Sequence, residues 1–325
     1  MKPAVGLRIR KGIAALSIIG AGMCVLIPVA GSLSGSSHAL LEAVADWRWQ
    51  FGVIGLAMFV LSACARNRTA IAIAALGCVY HASQLLPWYL PARAQTTGMP
   101  FKAISFNVLF FNERYDDVIA FIRAERPLVV ALQEANAQWS ERLKPLRAEM
   151  PHHYRVDHMD IEVFSRAAIV DPQVTTFGKI RGFVRFRVEH GDGTLVVIAT
   201  HAYPMRAYGD EGFRHRNDHL RVGLPSEVNR FKNEPLLVLG DLNATMWSPA
   251  YRELIHRTGL RNARKGFGVL PTGRGAQKPM PLAGTPIDHC LVNEHVAVAN
   301  CRTGAPLGSD HLPIIVDLAP VSQDR

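Results

Sequence analysis

Residues 236–245 read LLVLGDLNAT, and the rest of the chain is organised around them. Leu236, Leu237, Val238 and Leu239 are too few apolar residues for a helix but suit a buried strand, and Gly240-Asp241-Leu242-Asn243 is turn chemistry. Asp241 and Asn243 therefore stand two residues apart at a strand's exit. In α/β folds sites are built at the carboxyl ends of strands, where a carboxylate beside a carboxamide can deprotonate and orient a water. The plainer alternative is a tight turn in which Asp and Asn bond their own backbone, so the decision falls to the motifs on either side.

On the N-terminal side, the strand pattern recurs with polar residues at its ends. Residues 102–108 alternate as a strand reaching Asn107, a helix with Val118, Ile119 and Ile122 at its apolar spacing covers 115–126, and residues 128–132 form a buried strand ending at Gln133-Glu134. Trp139, Leu143, Leu146 and Met150 space as a further helix despite Pro145. Strand-like runs follow at 162–165, 183–188 and 195–200, the last ending at His201. Arg214, His215, Arg216, Asn217 and His219 then cluster in a polar stretch that reads as a solvated helix face, with Arg216 kept as a candidate phosphate contact.

On the C-terminal side, Ser248-Pro249 and Gly259 bracket a helix, and residues 266–285, rich in Gly and Pro, read as a long surface loop over the site. Ile287-Asp288-His289 opens a strand to Val292, and Gly308-Ser309-Asp310-His311 is a turn before a last strand over 314–318.

The front of the chain has different chemistry. Residues 12–33 are 22 residues without a charge, enough to cross a hydrocarbon core about 30 Å thick. Residues 49–65 and 69–90 give a second and third span, the third interrupted by His81, Gln84 and Pro87; His81 reads as packed between helices or interfacial. Lys2, Arg8, Arg10 and Lys11 before the first span, and Arg66 and Arg68 between the second and third, belong in the cytoplasm by the positive-inside rule. Trp47, Trp49, Trp88 and Tyr89 then mark one outer interface. A domain after residue 100 is expected on the outer, periplasmic side of the inner (plasma) membrane, with 91–100 as a Pro-bounded linker. The alternative, a cleaved signal peptide over about residues 1–37, leaves that side unchanged, and the apolar run is long for one.

Formal charge is +9, but residues 1–95 hold eight basic against two acidic residues, leaving 28 basic against 25 acidic for the remainder. A balance that close lacks the electrostatic footprint of a protein that grips long nucleic acid through many phosphates. Of five cysteines, Cys24, Cys64 and Cys78 lie in apolar stretches; Cys290 and Cys301 have no Cys-x-x-Cys spacing, so no structural zinc site is expected, and a bridge between these two, on strands expected to be adjacent, stays open.

Asn107, Glu134, His201, Asp241, Asn243, Asp288, Asp310 and His311 are chemically sorted: oxygen donors suited to a hard divalent ion, a candidate base, and two imidazoles able to donate to phosphate oxygens. Each has a plain reading as turn former, surface acid or core histidine. Together, Ser105-Phe106-Asn107-Val108, Leu132-Gln133-Glu134, Thr200-His201, Gly240-Asp241-Leu242-Asn243, Ile287-Asp288-His289 and Ser309-Asp310-His311-Leu312-Pro313 resemble, in order, the endonuclease/exonuclease/phosphatase superfamily over residues 100–319. With three apolar spans in front, the chain resembles its bacterial membrane-anchored subgroup.

The resemblance implies a four-layer α/β sandwich, two mixed sheets flanked by helices, over 100–325, preceded by a membrane segment over 1–95. It implies Mg²⁺ (or Mn²⁺) held by Glu134, Asn107 and Asp310, water activated by Asp241 and oriented by Asn243, and Asp288 paired with a phosphate-binding His311. His201 matches a His that some members use near the leaving group. The segment 160–166, DIEVFSR, departs from the family pattern, so the carboxylate partner of His201 is unassigned, with Asp160 and Glu162 as the candidates. The expected activity is hydrolysis of a phosphoester, on a phospholipid headgroup, a small phosphodiester or a nucleic acid. The alternatives are a nuclease, and a catalytically silent binding module on the same fold. Beyond the bilayer and the substrate, no protein partner is predicted.

Overall fold

The structure, a computed structural model, describes residues 2–33, 38–91, 99–191, 193–204, 207–277 and 283–321, without the side chains of 2–8 and 10. Most of the expected linker, and residues 278–282 of the Gly/Pro-rich segment, lie outside these. The chain divides into two compact units, Met1–Leu90 with Trp247–Pro249, and Pro91–Met246 with Ala250–Arg325.

The first unit is built on helices α1 (Lys2–Leu33), α2 (Ala39–Ala45), α3 (Arg48–Ala65) and α4 (Arg68–Leu85). Three stretches, Lys11–Leu33, Arg48–Ala65 and Arg68–Trp88, are long and apolar enough to cross a membrane by length and composition. The second and third spans are separated by Arg66, φ +53, and Asn67, whose side chain caps α4 by accepting from Ala70 N at 3.0 Å. The expected third span to residue 90 ends earlier as an α-helix, because Pro87 tightens Leu86–Trp88 into a 3-10 turn. The helix α2 was not expected. Small residues let the helices approach: a Cβ on Gly20 would strike Met58. Arg48 is held by Tyr80, Ser32 and the Pro28 carbonyl, and His81 donates Nε2 to Cys24 O at 3.0 Å, packed between helices as expected.

The second unit is an α/β sandwich of two mixed six-stranded sheets. One runs β11 (Val296–Thr303), β12 (Ile314–Pro320), β1 (Phe101–Asn107), β2 (Val129–Gln133), β4 (Ile161–Ser165), β3 (His152–Val156); the other runs β5 (Ile169–Phe177), β6 (Arg181–His190), β7 (Gly193–His201), β8 (Leu236–Asp241), β10 (Asp288–Val292), β9 (Arg261–Asn262). Strand alternation fixes which side chains meet between the sheets. Ala103 of β1, Val129 and Ala131 of β2, Val197 and Ala199 of β7, Leu237 and Leu239 of β8 and Cys290 of β10 share one core. Burial of an aliphatic side chain as large as Leu stabilises by about 1.5–3 kcal/mol. The opposite parity, Ile104, Phe106, Val130 and Leu132, packs against α5 (Tyr115–Glu125) and Trp139 of α6 (Ala137–Arg142). Behind the other sheet lie α7 (Gly209–Asp218), a π turn (His219–Gly223) and α8 (Leu224–Arg230), tied to it where Arg185 of β6 donates to Glu227 at 3.2 Å. Pro249 opens α9 (Pro249–Thr258) and Gly259, φ +69, follows its end, as expected.

Several expectations are corrected. The helix expected around Trp139 to Met150 breaks into α6 and a 3-10 segment, Lys144–Ala148, because Pro145 removes a donor. The strands β3, β5 and β9 were not expected, and β11 only as an unbounded strand carrying Cys301; all four are edge strands, half wetted and so without a continuous apolar signal, and β5 even carries Pro172 at an irregularity between Val170 and Gln173. The polar stretch after His201 is solvated on one side only: Arg214 and Asp218 are exposed, whereas Phe213, Arg216, His219 and Leu220 are buried. Nor are the described residues of 266–285 a surface loop: Thr272 is fully buried, accepts from Asp288 N at 3.1 Å, and its carbonyl accepts from Leu312 N at 2.7 Å. Cys290 and Cys301 lie on different sheets, not adjacent strands, and both thiols are free.

Candidate active site

The parity that builds the inter-sheet core also points Asn107, His201, Asp241 and Asp288 into the space between the sheets, at the end where that core stops. The strand pairs β1/β2 and β7/β8 are parallel, so Asn107 and Gln133 finish side by side, as do His201 and Asp241. Antiparallel β10 starts where β8 ends, setting Asp288 opposite Asp241. Glu134 follows β2 in the left-handed region, φ +57, and its carboxylate meets the Asn107 amide, which donates at 3.1 Å to Glu134 Oε1 and at 3.2 Å to Asp241 Oδ2. His311 arrives from the turn before β12. That turn is pinned by Ser309, whose Oγ donates to Asn107 O at 2.7 Å and accepts from His311 N at 3.0 Å.

At the centre, Asp241, Asp288 and His311 can each offer one ligand atom, all within 4.8 Å of one another and all buried. His311 Nδ1 lies 2.8 Å from Asp288 Oδ2, leaving Nε2 facing Asp241 Oδ2 at 3.9 Å. Asn243, φ +47, donates its backbone N–H to Asp241 Oδ1 at 2.8 Å and its Nδ2 to Ala202 O at 2.9 Å. His201 Nε2 stands 3.7 Å from Asp241 Oδ2 and 3.9 Å from Glu134 Oε1.

Charge is concentrated here in little water, and protonation follows. Burial, then the neighbouring Asp288 charge, pushes the Asp241 carboxyl up to about 7, against the opposing pull of His311 and of donors from Asn243 and Asn107. Burial alone would raise Asp288 and lower His311; their mutual attraction outweighs it, holding Asp288 below the usual carboxylate range and lifting His311 to about 10. His201 is driven well below its ordinary value by burial, with nearby Arg181 and His311 adding to it, so it is neutral.

The expected residues converge unequally. Asn107, Glu134, His201, Asp241, Asn243, Asp288 and His311 meet. Asp310 stands at the rim, its side chain 31% exposed, with Oδ2 at 3.4 Å from Arg274 Nε and Oδ1 at 4.0 Å from His311 Nε2. Arg216 is fully buried, lies over the Phe213 ring and donates to Asn243 O at 3.2 Å, so it props the Asn243 turn from behind. Neither candidate partner reaches His201: Asp160 faces Arg155, and Glu162 is taken by Ser140 and Arg155.

Sequence reasoning missed Ser309 as a structural pin, although it stands inside the Ser309-Asp310-His311 motif, and missed Arg264 altogether. Arg264 is a buried cation that donates to Leu270 O, His289 Nδ1 and Thr272 Oγ1, directly behind Asp288. Nothing in the polar run Arg261-Asn262-Ala263-Arg264-Lys265 distinguishes it from a surface residue.

The donor set suits a hard divalent cation. Glu134 Oε2 and Asp288 Oδ1 are buried with no hydrogen-bond partner among the described residues, which is costly for a carboxylate unless a cation completes it. Oxygen donors of this kind favour Mg²⁺ or Mn²⁺ over softer ions. The Asn107 Oδ1 accepts from Leu109 N at 3.1 Å, so the carboxamide presents its NH₂ to both carboxylates.

Residues 104–311, more than half of the chain, match the Endonuclease/Exonuclease/phosphatase family. The chain belongs to that family. No curated protein matches it in sequence. Among solved structures it resembles an endonuclease/exonuclease/phosphatase from Beutenbergia cavernae DSM 12333, at 20% identity and TM-score 0.55 over 70% of this chain and 72% of that one. Sphingomyelinase C from Streptomyces griseocarneus aligns at 17% identity and TM-score 0.53 over 67% and 99%, and D. rerio TDP2, complexed with a single-strand DNA product, at 17% and 0.57 over 67% and 98%. At these identities the likeness establishes the fold, the sandwich of two mixed sheets flanked by helices that the resemblance implied.

Proposed function

We propose that the protein is a membrane-anchored, divalent-metal-dependent phosphoester hydrolase in which Asp241 activates water. The observation that carries this reading is the convergence of buried Asp241, Asp288, His311 and Asn107, drawn from both sheets, with the half-buried Glu134. Glu134 and Asp310 are the proposed holders of Mg²⁺ or Mn²⁺, with Asn107 joining them by a turn of its carboxamide that presents Oδ1 in place of the NH₂; the ion when bound would polarise a phosphoryl oxygen and make nearby water more acidic.

The chain's own residues account for the rest. A carboxyl pushed up to about 7 accepts a proton from water far better than a surface Asp; the Asn243 N–H holds Oδ1, and Oδ2, which the Asn107 amide also orients, is the oxygen turned to the site. With Nδ1 donated to Asp288, the His311 imidazolium turns Nε2–H toward the site, where it stabilises charge developing on a phosphate oxygen. Neutral His201 offers a hydrogen bond on the leaving-group side. Arg216 supports the Asn243 turn.

Hydrolysis of small or lipid phosphodiesters is favoured over nuclease action by the near balance of charge beyond residue 95. The named relatives act in both directions, sphingomyelinase on one side and TDP2 with its DNA product on the other. Full-length protein with Mg²⁺ assayed against soluble phosphodiesters, phospholipids and nucleic acids tests the reading. Metal-dependent release of product from any of them supports it, and no hydrolysis of any would leave the silent binding module standing.

A further inference from the structure

The loop that leaves β1 begins with Asn107 and carries two adjacent phenylalanines. Phe110 is 43% exposed and Phe111 78%, with ring centroids 4.0 Å apart. Their backbone is built, not slack. Leu109 takes the left-handed region at φ +61; Asn112 Nδ2 donates to Val108 O at 3.0 Å and Leu307 O at 2.9 Å; Trp139 Nε1 donates to Leu109 O at 3.3 Å. Asn136 Nδ2 donates to Phe110 O at 3.2 Å, and Asn136 lies two residues from Glu134, so the loop is pinned beside the turn bearing that carboxylate. A strained, anchored mounting that keeps two rings in water at the rim of a site is a preorganised apolar contact.

The surrounding charge selects its occupant. Residues 107–117 contain Glu113, Asp116 and Asp117 against Arg114 alone, and Arg114 is already paired with Asp117 at 2.6 Å. A polyanion laying successive phosphates across this rim meets repulsion, whereas a molecule with a single phosphate at the centre and acyl chains at the rim does not. The same chain carries three helices apolar enough to cross a membrane, which keeps bilayer lipid within reach.

We propose that Phe110 and Phe111 receive the apolar part of a bilayer lipid phosphoester whose phosphate lies at Asp241 and His311. The inference rests on the hydrolase reading and adds its substrate class. It is tested on the full-length protein with three probes: dioleoylphosphatidylglycerol in detergent mixed micelles, bis(4-nitrophenyl) phosphate, and a single-stranded oligonucleotide. Phe110→Ala/Phe111→Ala should lose about tenfold or more in kcat/KM on the lipid, chiefly through KM, and stay within about twofold on the small diester. The Phe110→Leu/Phe111→Leu variant should restore the lipid rate, because apolar area and not ring stacking is what the lipid needs. Parallel loss on lipid and small diester makes the loop merely structural and overturns the proposal, as does an unchanged lipid rate. Loss confined to the oligonucleotide assigns the rings to base stacking and overturns it too. Wild-type protein inactive on all three would sink the hydrolase reading. The lipid contact is then decided separately by benzoylphenylalanine at position 111, photolysed in dioleoylphosphatidylglycerol proteoliposomes: a lipid adduct supports it and none refutes it.

Discussion

His311 Nδ1 and Asp288 Oδ2 lie 2.8 Å apart, although His311 precedes β12 of one sheet and Asp288 opens β10 of the other. The pair ties the sheets together at the site, and both side chains are buried, so its charge state should be visible in stability. His311 is lifted to about 10 from an ordinary 6.5, so its contribution is complete below about pH 6.5 and is lost as pH rises through 10. Asp288 is depressed, so its contribution is present above the ordinary carboxylate value and is lost as pH falls below it. In metal-free full-length protein, His311→Gln should therefore lower Tm most near pH 5–6.5, with the gap to wild type closing toward pH 10. A gap independent of pH across that interval would mean that no ion pair exists there.

Asp241 and Glu134 are assigned different work, and substitution separates them. Asp241→Asn keeps the shape and the Asn243 contact but removes the base, and should cost about 10²–10⁴ in kcat while Mn²⁺ binding, followed by electron paramagnetic resonance, persists. Glu134→Gln should weaken Mn²⁺ binding itself. Equal loss of metal in both variants would place Asp241 in the ligand set.

Gly240 is the residue that lets β7 and β8 close up. It pairs with Thr200, one residue before the His201 and Asp241 pair, and a Cβ there would run into the Thr200 carbonyl oxygen. Gly240→Ala should destabilise by about 1–3 kcal/mol and reduce turnover through misplacement of Asp241. Thermal unfolding and kcat measured together check this, and wild-type values for both would refute the close approach.

Cys290 and Cys301 face the same core from different sheets, and burial raises both thiols, Cys301 to about 11. Native full-length protein treated with iodoacetamide should leave both unmodified and then label both after denaturation without reductant. A disulfide-linked peptide pair in unreduced digests would contradict the free thiols.

The proposed topology rests on six basic residues, Lys2, Arg8, Arg10, Lys11, Arg66 and Arg68, against Arg48 alone at the opposite side, where it opens the second span. Alkaline phosphatase fused after Thr97 should be active, and a reporter fluorescent only in the cytoplasm should be dark at the same place. The reverse pattern would put the catalytic domain in the cytoplasm and remove periplasmic substrates.

The central strands were legible because each is buried on both faces: Leu236 to Leu239, the run ending at Gln133 and the run ending at His201 carry an apolar signal that no loop would retain. The same local logic exposed the three apolar helices and set Asn107, Glu134, His201 and Asp241 at strand ends. Edge strands left no such trace, since β3, β5 and β11 are half wetted and keep polar residues. What the sequence could not determine are contacts closed by long loops. That Asp288 meets His311 by hydrogen bond, that Asp310 stays at the rim beside Arg274, that Arg216 props the Asn243 turn and that Arg264 stands behind Asp288 depend on how two sheets stack. Periodicity records whether a side chain is buried, and only the packed sandwich decides against what.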